Sequence, residues 1–154
     1  MISLAEGEGR LVGHLAKQNA HSRVLNNTGA IVTFMGPHGY ISPTWYESKG
    51  GVPTWNYAAV TVRGRCTIFT DKPRLKDLVE RMSEKYEVAN KSSWDMSYAD
   101  VMLEHIVGLD LKIEDIHFKA KLSQNRTQNE VETIAGDSDA SGVRGRILRA
   151  PFYL

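Results

Sequence analysis

From Trp55 to Phe69 the chain alternates strictly, and no other stretch of its 154 residues does so for as long. Val60, Val62, Gly64, Cys66 and Ile68 fall on one side, and Ala59, Thr61, Arg63, Arg65 and Thr67 on the other. Only an extended strand sends successive side chains to opposite faces, so this period predicts a half-exposed strand. Val107, Leu109, Leu111 and Ile113 repeat the pattern against Gly108, Asp110, Lys112 and Glu114. The phase then slips by one residue: Ile116, Phe118, Ala120 and Leu122 are apolar, while His117, Lys119 and Lys121 are polar. A slip inside one extended run predicts a bulge or tight bend near Glu114-Asp115.

Shorter signals fill the intervals. Residues 1–8 show no periodic pattern, and Gly9 to Leu15 reads as a short strand with Leu11, Gly13 and Leu15 on one face. Ala16 to Asn27 is polar, a helical turn followed by loop. The near-continuous apolar run Ala30–Met35 predicts a strand buried on both faces, ended by Gly36-Pro37 because proline cannot donate to a ladder. Asp71-Lys-Pro73 has the chemistry of a helix start, and Leu75, Leu78, Val79, Met82 and Tyr86 recur at helical spacing to about Glu87. Asn90 to Asp95 is read as loop. A second helix is expected over Tyr98–His105, where Ser97 and Asp100 resemble a capping box, and a short polar one over Thr127–Ala135. Long alternating strands with clustered helices define a mainly β (α+β) chain, an antiparallel barrel with flanking helices. Roughly five strands are few for a barrel that needs about six to fill its interior. A partner subunit is expected to supply the cover.

Composition excludes several classes. A formal net charge of +1 gives no overall field for nucleic acid or anionic membrane. One cysteine, Cys66, rules out an internal disulfide and a cysteine-based zinc site, and suits a reducing cytoplasm. Its apolar strand position marks it as buried filler. There is no long apolar run, no signal pattern, no nucleophile elbow, no Walker loop and no Rossmann fingerprint.

The densest chemistry lies in Gly36-Pro-His-Gly-Tyr-Ile-Ser-Pro-Thr-Trp-Tyr46, continued by Val52-Pro-Thr-Trp-Asn-Tyr57. The two segments hold two of the three tryptophans, three of the six tyrosines and three of the five prolines. Between them Glu47-Ser-Lys-Gly-Gly51 has turn chemistry. Aromatic planes, short polar groups and rigid prolines together suit a planar ligand with polar edges; they also suit an aromatic mini-core.

These blocks, with Gly13-His-Leu-Ala-Lys-Gln-Asn19 and Leu122-Ser-Gln-Asn-Arg126, resemble the PaiB-type FMN-binding negative transcriptional regulators in order and spacing over about residues 9–135. The resemblance implies an FMN-binding split β-barrel, a cytoplasmic homodimer with flavin between subunits near the barrel seam, and repression of transcription. DNA as a partner comes from the resemblance alone, and no membrane is expected. Lys17 stands where the family usually has Arg, and Ala20 where it usually has Pro; Lys keeps the charge without the planar fork. Gly39 and Thr44 are small variations. The N-terminal helix and first strand pair usual in the family are missing before Gly9. The resemblance thus gives a split-barrel domain over 1–135 and a divergent tail over 136–154, poorly ordered or docked, with the basic cluster Arg144, Arg146 and Arg149.

An FMN ligand presents a phosphate, a ribityl chain and a polar-edged ring. Lys17 and Arg126, ahead of Arg63 and Arg65, are the candidate phosphate cations, with Ser42 and Thr54 as neutral donors. Trp45, Tyr46, Trp55 and Tyr57 are candidates to flank the ring; Asn56, Gln124 and Asn125 to read its amide-like edge. His14, Asn19, His38 and Tyr40 complete the expected cofactor-binding set from the matched blocks, the histidines as neutral hydrogen-bonding groups. His21, His105 and His117 are incidental. Two other functions fit the same residues: a small flavin-dependent oxidoreductase, and a haem-binding or degenerate split barrel that no longer holds flavin.

Overall fold

A computed structural model describes residues 2–4, 9–46, 51–91, 99–130 and 132. The chain is mainly β. Its strands are β1 (Ile2–Leu4), β2 (Arg10–Ala16), β3 (Thr28–Ile41), β4 (Thr54–Phe69) and β5 (Ile106–Lys121), in the sheet order β1-β2-β5-β4-β3. The helices are α1 (His21–Val24), α2 (Lys72–Asn90) and α3 (Ala99–Met102), the last running into a 3₁₀ turn over Leu103–His105. Two compact units divide the chain: Met1–Ile31 with Val62–Asp115, and Val32–Thr61 with Ile116–Leu154. Among the described residues no helix is long and apolar enough to cross a membrane.

The first unit owns most of the core. β2 pairs antiparallel with β5, Leu11 opposite Leu111 and Leu15 opposite Val107. Leu11, Val62, Cys66, Val107, Leu109 and Leu111 are buried along the strands, and Leu75, Leu78 and Met82 along α2. The α2 stripe is the one its sequence spacing predicts. Asp71 Oδ1 accepts the Arg74 N–H at 2.9 Å, closing the helix start, and Lys91 ends the helix in a left-handed conformation (φ 53°). At Gly108 an added Cβ would meet Phe69 at 2.1 Å, so the ring lies directly on the glycine. Arg74 covers that ring from 3.9 Å.

Asp110 is the polar centre of this unit. It is 2% exposed, although alternation puts it on the outward side. Arg10 Nη2 reaches its Oδ1 at 2.7 Å, and Arg74 Nη2 pairs with its Oδ2. Burial pushes the carboxyl up, but the two guanidiniums more than offset this and hold it below the usual carboxylate range.

The structure corrects four readings. Ile2–Leu4, given no pattern, forms β1 against Leu11–Gly13. Backbone pairing needs no amphipathic signal, so a three-residue strand leaves none. β3 neither stops at Gly36-Pro37 nor is buried on both faces: it continues to Ile41, with Ile31 and Met35 64% and 57% exposed. Because β3 ends the sheet order, its proline removes no obligatory ladder bond. Tyr86, though on the helical spacing of α2, is 48% exposed. The second helix is one turn of α3 plus the 3₁₀ turn.

β5 runs as one strand through Glu114-Asp115, and the handover between units falls at Asp115 and Ile116, where the sequence phase slips. The expected turn at Glu47–Gly51 (up to Gly50), most of the Asn90–Asp95 loop, the Ser97 cap, the end of the Thr127–Ala135 helix and the 136–154 tail lie outside the described residues.

Candidate functional site

In the second unit, β5 ends and the chain turns back at once. Ser123 takes a left-handed conformation (φ 63°), which a serine adopts only against steric resistance. The Arg126 N–H then donates to Ser123 O at 2.9 Å. Gln124 ties the turn to its own strand: Nε2 donates to Ala120 O at 2.9 Å, and Oε1 accepts the Leu122 N–H at 2.8 Å. Thr127 and Glu130 cap the residues that follow, the Thr127 N–H donating to Glu130 Oε2 at 3.0 Å.

This turn points the Ser123 hydroxyl inward, where it is buried. Asn56 Nδ2 donates to it at 2.9 Å, and Tyr46 OH lies 3.2 Å from it. The three residues come from just beyond the end of β5, the start of β4 and the end of the first aromatic segment. Asn56 is 1% exposed, and its Oδ1 has no partner among the described residues. Leaving a buried amide oxygen unsatisfied costs about 1–3 kcal/mol, so a partner from beyond the described residues, such as a ligand, is the physical expectation.

Asn56 also lines a cleft of about 240 Å³ whose other walls are Tyr46, Val52, Thr54, Lys121, Ser123, Gln124, Asn125 and Arg126. Arg126 lies over the Tyr46 ring at 4.2 Å and meets Glu130 at 3.7 Å. Lys121 donates to the Thr54 hydroxyl. Gly51 leaves room for this packing: a Cβ there would come within 3.3 Å of Arg126 and 3.4 Å of Tyr46.

Of the expected site residues, Tyr46, Thr54, Asn56, Gln124, Asn125 and Arg126 meet at this cleft. The rest of the aromatic block divides between core and surface. Ile41 and Tyr46 form a small buried cluster with Trp45 packed on it, while Tyr40 stands 47% exposed, edge-on to Trp45 at 6.1 Å. Trp55 is 50% exposed, stacked on His38 at 5.9 Å with its Nε1 donating to His38 Nδ1 at 3.3 Å. Ser42 caps the 3₁₀ turn Pro43–Trp45, and Tyr57 is half-buried in β4.

His14, Lys17 and Asn19 belong to the first unit. His14 is half-buried in β2 with Nδ1 unpartnered among the described residues, and burial pushes its pKa down, which favours the neutral ring. Asn19 Oδ1 accepts the His21 N–H at 2.9 Å and shapes the turn into α1. Lys17 lines a separate cleft of about 340 Å³ with the ion-paired Lys72 and Glu104. Arg65 donates to Asn27 O at 3.1 Å, which anchors a loop. Cys66 is buried, and burial pushes its thiol up, away from nucleophilic use. Ser123 and Lys121 were not singled out from sequence. Ser123 sits within a matched block, but its importance comes from a positive φ and partners 67 and 77 residues away.

A mainly β sheet with a few helices is the fold of the flavin-binding split barrels. Two solved members share the fold: the flavocytochrome Anf3 from Azotobacter vinelandii (TM-score 0.51, 12% identity, 82% of this chain and 56% of that one) and the FAD and heme binding protein from Mycobacterium smegmatis (TM-score 0.51, 17% identity, 87% and 62%). Residues 2–115 match the family described as "Putative FMN-binding domain", and the chain belongs to that PaiB-type FMN-binding family. It is 39% identical over 126 residues to the protease synthase and sporulation protein PAI 2 of Bacillus subtilis, covering 78% of this chain and 60% of that relative's length.

The cofactor that membership brings is FMN. The residues present fit it: Lys121 and Arg126 match a phosphate, and the Asn56 oxygen matches a hydroxyl or imide N–H. Leu122–Arg126 lies beyond the matched span.

Proposed function

We propose that this chain is an FMN-binding negative transcriptional regulator of the PaiB type, a cytoplasmic homodimer with flavin at the subunit interface. The Asn56 amide carries the site, being buried, half-satisfied among the described residues and part of the wall of a cleft that also holds the cations Lys121 and Arg126. The second unit also leaves Met35, Trp55, Ile116 and Phe118 between 45% and 57% exposed, which supports a dimer, because large apolar side chains in water are what an interface covers. The repressor role follows the family resemblance. With a net charge of +1, grip on an operator would rely on local contacts.

FMN titration followed by flavin fluorescence, with the mass in solution and a promoter-fragment shift across salt, tests the proposal. Saturable binding, a mass of two chains and a salt-sensitive shift are expected. A monomer indifferent to FMN ends it. Sustained NADH or NADPH oxidation by the FMN-loaded protein, without a DNA shift, replaces the repressor with a small flavin-dependent oxidoreductase on the same fold.

A further inference from the structure

The cleft of the second unit is poorly made for a flat ring. Arg126 already covers the Tyr46 ring from 4.2 Å, so that aromatic face is taken. The Gln124 amide is engaged at both ends with Ala120 and Leu122, which leaves the exposed Asn125 as the one side-chain amide of that pair still available to an imide edge. Beyond Asn125 the cleft offers positive charge and one buried polar atom. Lys121, exposed, donates to the neutral Thr54 hydroxyl and has no carboxylate partner among the described residues. Arg126 meets Glu130 only at 3.7 Å, beyond hydrogen-bond length. Beside them in the cleft wall, 1% exposed, Asn56 has an Oδ1 with no partner among the described residues.

We infer that this cleft takes the phosphorylated polyol arm of FMN and not its ring. Lys121 and Arg126 hold the phosphate, and Asn56 accepts a hydrogen bond from a ribityl hydroxyl. A phosphate monoester carries close to two negative charges at neutral pH, which two cations match. Turning the Asn56 amide over would offer an N–H to a phosphate oxygen instead, and the same arm would still be read. The inference rests on the flavin reading above and assigns Lys121 a ligand role that the sequence blocks did not give it.

The test compares FMN with riboflavin, which lacks only the phosphate, by fluorescence titration of wild type, Lys121→Gln and Lys121→Glu. Thermal melts confirm that each variant folds, as an exposed position allows. Wild type is expected to prefer FMN by at least about tenfold, one charge-assisted contact's worth. Lys121→Gln should cut that preference about tenfold and Lys121→Glu further, with riboflavin affinity unchanged. Inorganic phosphate should displace FMN and leave riboflavin bound, which separates recognition of the arm from that of the ring. An FMN-to-riboflavin ratio equal in all three proteins overturns the inference while leaving flavin binding intact. Failure to bind either flavin removes both readings.

Discussion

Asp110 and Asn56 are both sealed from water, at 2% and 1% exposure, yet their surroundings differ in kind. Asp110, in the first unit, has a guanidinium on each carboxylate oxygen, from Arg10 and Arg74. Asn56, in the second, has one hydrogen bond to Ser123 and one atom left over. A buried polar group with all its partners fixes neighbouring elements; one held a partner short reserves a position for something else. By this criterion the first unit is scaffold around Asp110 and the second holds the candidate site.

The largest expected effect is at the scaffold. Asp110→Ala leaves two arginines without their carboxylate, and because both are partly solvated the loss should be about 3 kcal/mol in a urea melt. FMN affinity of the folded fraction should stay put, and a parallel loss of affinity would break the comparison. Ser123→Ala removes the oxygen shared by Asn56 and Tyr46 while keeping the positive φ, and should cost about 2 kcal/mol. Ser123→Gly removes the same oxygen but relaxes the backbone, so it should cost about 1 kcal/mol less. Asn56→Leu should leave stability within about 1 kcal/mol of wild type, since the unsatisfied atom goes with the hydrogen bond, yet lower FMN affinity about tenfold. A large stability loss there would make Asn56 another scaffold residue.

The smallest effect lies in pH. Burial lowers the His14 pKa, so the unfolded chain takes up its proton first, near 6.5, while folded His14 stays neutral. Stability from this source is complete above that pH and declines as pH falls toward the lower folded value; His14→Gln should flatten this slope in acid melts. Asp110, also lowered, adds a second window: its contribution is complete above 3.8 and vanishes as pH drops through its folded pKa.

Much of the fold was legible because it depends on near-neighbour patterns. The alternation of β4 and the Asp71 cap with the Leu75, Leu78 and Met82 stripe of α2 each follow from residues a few positions apart. What was hidden depends on distant partners. Nothing near Asp110 announces Arg10 or Arg74, so its burial contradicts the local alternation. The aromatic block supplies Tyr46 and Asn56 to the cleft, but its residues split among a buried cluster, an exposed stack and the cleft, a division set by β4 and the end of β5. Ser123 holds the cleft together through a backbone angle that no serine spells out.

Cys66 gives the molecule a stopwatch. It is the sole thiol, 3% exposed on β4, and its environment keeps it protonated. An alkylating reagent therefore reacts only during moments when that strand parts from its neighbours, and the labelling rate of the unaltered chain times those openings. Slower labelling on adding a small molecule would reveal binding even for compounds with no colour of their own.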